Sequence, residues 1–376
     1  MKVIVLGAGM VGRAMAIDLS ANHVVTCVDI DPKALETLYC HKIETIVANL
    51  SDTAKVSELV STFDLVLCAV PGFMGYKTIE ACINAGKNVV DISFMPEDFQ
   101  QLNALAKSKG VTVIVDCGVA PGMPNLFLGY YNTKIDVSRF FYMVGGLPKV
   151  RSYPFQYKAP FSPIDVLEEY TRPARYVENG AIAIKPAMSD PELFFFEGIG
   201  HLEGFNTDGL RSLIDTMSHI PNMKEKTLRY PGHIALISAL EKSGFFSHTP
   251  ISVKGNSVKP MEVTAAILFN EWKLQPHEPE FTVMSIEIEG KSKTNGKSQK
   301  VVCNLYDEYE PKTGTWSMAR TTGYTATAAI NMLAKELFNE KGVFPLELVG
   351  NNENCYNFIL KYLADRGVKY RVEVLE

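Results

Sequence analysis

Three glycines and an aspartate open the chain with a spacing that suits a diphosphate. In MKVIVLGAGMVGRAMAIDLSANHVVTCVDID, Gly7, Gly9 and Gly12 form a G-x-G-x-x-G pattern and Asp29 stands near the end of the stretch. Gly7 permits a tight turn, Gly9 lets the backbone approach a pyrophosphate, and Gly12 lets a helix lie close on a strand. The free N–H groups and positive dipole end of that helix would face the phosphates through Met10 and Val11. Asp29, followed by Ile30, is placed to accept hydrogen bonds from the adenosine ribose, or else to close a turn with Asp31-Pro32. A carboxylate there repels a 2′-phosphate and no Arg follows in the turn, so NAD is expected over NADP.

These residues need a strand, a helix and a second strand to hold them. Lys2–Leu6 is a short apolar run, Arg13–Ser20 has helical spacing, and Val24–Val28 is again apolar. The alternation continues with strands at Ile43–Ala48, Leu65–Val70, Asn88–Ile92 and Val111–Val115, separated by helical segments. That order predicts an α/β Rossmann fold with a doubly wound parallel sheet, whose ligands lie outside the carboxyl ends of the strands. The predicted crevice therefore takes in Asn49–Ser51, Ala69–Gly72 with Val70 and Pro71, Asp91–Phe94, and Asp116–Gly122 with Gly118. Asp91 and Asp116 both end strands there, where each either meets substrate or bonds its own loop.

After Asn125 the pattern becomes α+β. Ser162-Pro163 is expected to open a helix with Ser as N-cap, and Gly209–Met217 to form another. Phe281–Gly290 and Lys300–Tyr309 read as an antiparallel hairpin around Asn295-Gly296. A second α+β domain with a mixed or antiparallel sheet is expected at 126–319 for substrate binding and oligomerisation. Residues 1–125 with 320–376 would form the dinucleotide-binding domain.

The totals narrow the function. The chain has 376 residues, 47% of them hydrophobic, and a net charge of −5. That balance, without a Lys/Arg run, argues against nucleic-acid or anionic-membrane partners. No apolar stretch reaches the roughly 18 residues of a membrane span. Met1 leads directly into a core strand, which suggests no leader and a cytoplasmic location. The seven cysteines are scattered without a CxxC pair, the histidines lack HExxH spacing, and no metal is expected.

Six further stretches carry a resemblance: VDISFMPE (90–97), DCGVAPGMPNL (116–126), SPIDVLEEYTRPAR (162–175), FNTDGLRSL (205–213), TLRYPGH (227–233) and RTTGYTATAA (320–329). The chain resembles the saccharopine dehydrogenase/reductase family, most of all its L-lysine 6-dehydrogenase branch. The resemblance implies NAD-dependent oxidation of the lysine ε-amine to allysine, which cyclises to Δ1-piperideine-6-carboxylate. It also implies a homodimer or homotetramer and a small amino-acid substrate. It assigns substrate contacts to Ser93 and Phe94, to Val119, Ala120 and Pro121, and to Thr227-Leu228-Arg229. A further contact comes from the loop holding Thr207 and Asp208. Ala120 replaces an Asp of the reductases and Thr207 an Arg, as a site for a smaller substrate than saccharopine would predict.

On that reading a guanidinium holds the substrate carboxylate, with Arg229 the first choice and Arg211 the second. The acid or base is sought among Asp91, Asp116, Asp208 and His233, the last following Arg229 by one turn if that segment is helical. Cys117 reads as packing, since amine oxidation needs no thiolate. Phe94, Tyr170 and Tyr230 either wall the substrate methylenes or belong to the core. The competing readings are a saccharopine or carboxynorspermidine dehydrogenase of the same family, and a non-catalytic NAD-sensing module.

Overall fold

The computed structural model describes residues 1–159 and 163–375, so the N-cap expected at Ser162 lies outside the described residues. The first six strands are β1 (Lys2–Leu6), β2 (Val24–Asp29), β3 (Glu44–Val47), β4 (Leu65–Cys68), β5 (Asn88–Asp91) and β6 (Thr112–Val115). Next come β7 (Ile135–Pro148), β8 (Ala174–Glu178), β9 (Ala181–Lys185), β10 (Glu192–Phe196), β11 (Gly200–Asn206) and β12 (Met223–Arg229). The last six are β13 (Ile251–Val253), β14 (Asn256–Val258), β15 (Glu280–Ser292), β16 (Ser298–Glu308), β17 (Gly342–Pro345) and β18 (Tyr370–Leu375).

The first sheet has seven parallel strands in the order β17-β6-β5-β4-β1-β2-β3. Its central strands are apolar, Val3–Leu6 of β1 and all of β4, because both faces are covered there, whereas the edge strand β3 is partly exposed. Val3, Val5, Leu65 and Leu67 join one core, and Ile4, Leu6, Val66 and Cys68 join the other. Successive side chains of a strand point to opposite faces, so a continuous apolar run fills both layers. The order reverses between β1 and β4, which opens a crevice above the glycine turn.

The second sheet runs β10-β11-β12-β7-β15-β16-β18, with β8 beside β12 and β9 beyond it. β12 and β7 are parallel while the remaining pairs are antiparallel, so the sheet is mixed. The long β15–β16 hairpin turns at Asn295-Gly296, with Gly296 at φ 70°.

Ser317–Ala334 is a helix that packs beside Met10–Ser20; a Cβ on Gly323 would lie 3.0 Å from Met15 Cγ. The C-terminal part of the chain serves both sheets. β17 extends the first, whereas β18 pairs with β16 in the second, so the segment expected to return whole to the dinucleotide domain is divided. The helix expected over Gly209–Met217 shrinks to Leu213–Thr216. Arg211 just before it has φ 46°, a left-handed conformation that a continuous right-handed helix cannot contain.

Candidate active site

A cavity of about 770 Å³ lies between the carboxyl ends of the first sheet and the facing part of the second. Gly7, Gly9, Met10, Val11 and Gly12 line it from the first turn, with Asp29 at the end of β2, Ile30 after it, and Asn49 after β3. Ala69, Val70 and Pro71 follow β4, and Gly118 follows β6. All twelve residues expected from the sequence to meet a cofactor thus share one wall.

The glycine turn has the shape that a dinucleotide requires. A Cβ on Gly12 would stand 2.0 Å from the Gly7 carbonyl oxygen, so helix and turn meet at a distance no side chain permits. A Cβ on Gly9 would meet nothing within 4 Å, which leaves the turn open to the cavity. Gly9 caps the helix without a side-chain hydrogen bond, so the first-turn N–H groups remain available to an anion. The Asp29 carboxylate accepts the Ala8 N–H at 2.7 Å and the Asp31 N–H at 2.9 Å. These bonds orient it and leave lone pairs for ribose hydroxyls.

Ser93, Phe94, Asp116, Val119, Ala120 and Pro121 line the far end, where Thr227 and Arg229 enter from β12. Arg211 does not line the cavity. Its Nε donates to Asp116 Oδ2 at 2.6 Å, its Nη1 donates to the Met95 carbonyl at 3.0 Å, and its guanidinium stacks on Phe94. Both members of this pair are left-handed, Asp116 at φ 50° and Arg211 at φ 46°. Such backbones cost energy and persist where surrounding contacts hold them. Asp116 Oδ1 is buried without a hydrogen-bond partner among the described residues.

Two expected acid–base candidates lie elsewhere. Asp91 is fully buried behind the cavity, where its carboxylate accepts the Ser93 N–H at 3.0 Å and the Ser93 hydroxyl at 2.8 Å. Burial pushes its carboxyl up to about 7, and its bonds hold Ser93 in place. His233 is 1% exposed and is also absent from the lining. Arg229 ends a strand and His233 begins the next helix, so no helical turn joins them. Its Nδ1 lies 2.9 Å from the Phe155 carbonyl and therefore donates, which leaves Nε2 to accept from the Tyr170 hydroxyl at 2.9 Å. Burial, with Arg229 adding to it, lowers the imidazole to about 3.

Arg229 is committed as well. Its Nη2 donates to Glu169 at 2.8 Å, its Nε to Tyr170 at 3.0 Å, and its Nη1 to the Leu228 carbonyl at 3.0 Å. Tyr170 is core rather than wall, and so is Tyr230, whose hydroxyl donates to the Pro148 carbonyl. Thr207 and Asp208 face a smaller side chamber, with both Asp208 oxygens taken by Arg175 at 2.9 Å.

Several residues of the site escaped the sequence reading. Asp165 and Glu169 enter from the helix Pro163–Thr171, and Glu225 from β12. The spacing carried a signal for each. Asp165 and Glu169 are four apart on one helical face, and Glu225, Thr227 and Arg229 alternate on one strand face. Met318 and Thr322 close the cavity from the helix Ser317–Ala334. Among the described residues no group of three or more His, Cys, Asp or Glu converges as a metal site, and no helix is long and apolar enough to cross a membrane.

Comparison with known proteins places this geometry. Residues 3–114 match the sequence profile of the saccharopine dehydrogenase NADP binding domain, and residues 118–368 that of the saccharopine dehydrogenase C-terminal domain. The chain belongs to the saccharopine dehydrogenase family. It is 26% identical over 264 residues to the mitochondrial alpha-aminoadipic semialdehyde synthase of Mus musculus, covering 65% of this chain and 28% of that protein. The chain thus spans little more than a quarter of that relative. It is 25% identical to the carboxynorspermidine synthase of Vibrio cholerae, covering 92% of each. The fold matches the apo histidine-tagged saccharopine dehydrogenase (L-Glu forming) of Saccharomyces cerevisiae with TM-score 0.79, 18% identity and complete coverage of both chains. The first sheet is accordingly the family's NAD(P)-binding domain.

Proposed function

We propose that the protein is an NAD-linked oxidoreductase that oxidises an amine-bearing carbon, with the ε-amine of L-lysine as its substrate. The observation that carries this reading is the charge at the substrate end. Asp116, Asp165 and Glu169 share the lining with Arg229, the one guanidinium there among the described residues, and that guanidinium is already paired with Glu169 as Asp116 is with Arg211. Saccharopine brings more carboxylates than amines and would find no uncommitted guanidinium in this lining; lysine brings more amines than carboxylates.

Bound NAD would supply the acceptor for one hydride, that is, a proton with two electrons. Around it the chain's residues do the rest. Asp116 Oδ1 is the open acceptor for an N–H of the reacting amine, and Arg211 fixes the other oxygen. Ser93, oriented by Asp91, offers a hydroxyl beside it. The balanced reaction takes the lysine ε-ammonium, NAD⁺ and water to allysine, NADH, ammonium and one proton. NAD is favoured over NADP because Asp29 stands at the ribose end with no Lys or Arg of the lining beside it. The relatives whose names specify NADP, such as the saccharopine dehydrogenase of Schizosaccharomyces pombe, make this a point to measure.

A second reading, a larger amine of the kind named in carboxynorspermidine synthase, is favoured by the side chamber beyond Thr227, which extends the substrate end. A panel of L-lysine, L-ornithine, saccharopine and carboxynorspermidine, each with NAD and with NADP, tests both by NADH or NADPH absorbance. Turnover greatest with lysine and NAD is expected. Turnover of saccharopine alone would overturn the charge argument, and no turnover with any amine would favour a nucleotide-sensing module.

A further inference from the structure

Past Thr227 the cavity continues into a side chamber of about 40 Å³, which shares Phe94, Ala120, Pro121, Glu169 and Thr227 with the larger space. A volume of that size holds about two or three water-sized groups. Most charges around it are already matched. Asp208 is held by Arg175, Glu169 by Arg229, and Glu168 by Arg172. Glu225 differs. It is 4% exposed and forms no ion pair among the described residues. Its carboxyl accepts the Thr207 hydroxyl at 2.5 Å and, more weakly, the Thr227 hydroxyl at 3.4 Å. Gly209 is packed against it so closely that a Cβ there would stand 2.7 Å from Glu225 Cδ and from the Tyr142 hydroxyl.

Tyr142 links this carboxyl to the reacting end. Its hydroxyl donates to the Gly209 carbonyl at 2.9 Å, and it lies within the electrostatic reach of Glu225, Asp116 and Arg211 at once. Two buried carboxyl groups therefore flank one tyrosine. One has an oxygen with no partner, and the other has no cation.

We propose that the site is built for a substrate with two basic nitrogens: Asp116 Oδ1 receives the reacting amine, and Glu225 receives a second, non-reacting ammonium lodged in the side chamber. This rests on the reading of the protein as an amine oxidoreductase and names its second recognition point. An anionic arm would find Arg172 as the one guanidinium lining the chamber among the described residues, and that guanidinium is already paired with Glu168. An ammonium supplies the charge that Glu225 lacks, and its hydrogen bonds are charge-assisted.

Burial pushes the Glu225 carboxyl up to about 8, with Glu169 and Asp208 raising it further and the Thr207 hydroxyl and Gly209 N–H opposing. The free protein thus holds a proton there at pH 7. On arrival of the ammonium that proton leaves to solvent, and the carboxylate pairs with the ligand.

The test compares ligands that differ only by the second nitrogen. L-Lysine and 6-aminohexanoate form one pair, cadaverine and pentylamine the other, each titrated calorimetrically into the full chain saturated with NADH. Wild type is expected to prefer the two-nitrogen member by at least about ten-fold. It should also release close to one more proton per ligand at pH 7, read from buffers of different ionisation enthalpy. Glu225→Gln should bring the preference within two-fold and abolish the extra proton. Should that variant not fold, the wild-type proton count decides. Equal affinity and equal proton release within both pairs would overturn the inference, as would a preference that survives in Glu225→Gln. A preference for cadaverine that vanishes in the variant, with no NADH formed from lysine, would remove the lysine reading and leave this inference standing.

Discussion

Replacing Arg229 by Met removes the guanidinium that lines the large cavity and strands its partner. Arg229 is 3% exposed and Glu169 22% exposed, so Glu169 would be left in surroundings that solvate it poorly. The carboxyl can escape by binding a proton. Starting from the ordinary value of 4.5, that costs about 4 kcal/mol at pH 7.5 and about 1.5 kcal/mol at pH 5.5. These are ceilings, since residual solvent contact lowers both. Burial already raises the Glu169 carboxyl, with Arg229 opposing; without Arg229 it rises further, so the folded variant binds more protons in that window than the folded wild type. The variant's stability relative to wild type therefore falls as pH rises through it. Urea unfolding should show a deficit of roughly 2–4 kcal/mol at pH 7.5 that shrinks by at least about 1 kcal/mol at pH 5.5. Trp272 is a suitable fluorescence probe because its ring contacts Tyr157, Tyr170 and His233 beside the pair. Arg229→Met with Glu169→Gln should recover most of the loss at pH 7.5 and remove its pH dependence. If the folded double variant still loses kcat/KM for lysine by 100-fold or more, roughly the loss of one charge-assisted contact to substrate, Arg229 also touches substrate. A deficit equal at both pH values and unrelieved by Glu169→Gln would refute the ion-pair argument.

Asp29→Ser should shift the kcat/KM ratio for NAD over NADP toward NADP by about ten-fold or more; an unchanged ratio would show that Asp29 only closes its turn. Asp116→Asn is expected to lower kcat by at least about 100-fold, the usual scale of a lost proton acceptor, while NADH binding by fluorescence titration stays within three-fold. Retention of turnover would exclude Asp116 from the chemistry. His233, lowered to about 3 from 6.5, binds fewer protons folded than unfolded between those values. Its contribution to stability is complete above pH 6.5 and is lost as pH falls toward 3. His233→Gln should flatten that acid limb in urea titrations and leave the pH profile of kcat/KM without a lost inflection; a vanished inflection near neutrality would make the imidazole catalytic after all.

The nucleotide half was legible because its determinants are local. Gly7, Gly9 and Gly12 act on a turn and helix that they themselves form; Asp29 ends its strand, and Asn49, Ala69 and Gly118 stand within three residues past the ends of theirs. Strand ends of a parallel sheet converge by topology, so finding the strands was enough to gather the residues. The alternation Val3, Ile4, Val5, Leu6 likewise carried the two-faced burial within a few positions.

The substrate half was decided by how the two sheets meet. Arg211 and Asp116 are 95 residues apart in sequence and Arg229 and Glu169 are 60 apart, yet each pair is in contact. Composition and periodicity say which residues are charged and which face of an element they share. They do not say which opposite charge lies across the gap, and in a buried site that partner determines whether a guanidinium is free for a substrate, whether an imidazole such as His233 titrates near neutrality, and whether a carboxyl such as Glu225 waits for a cation.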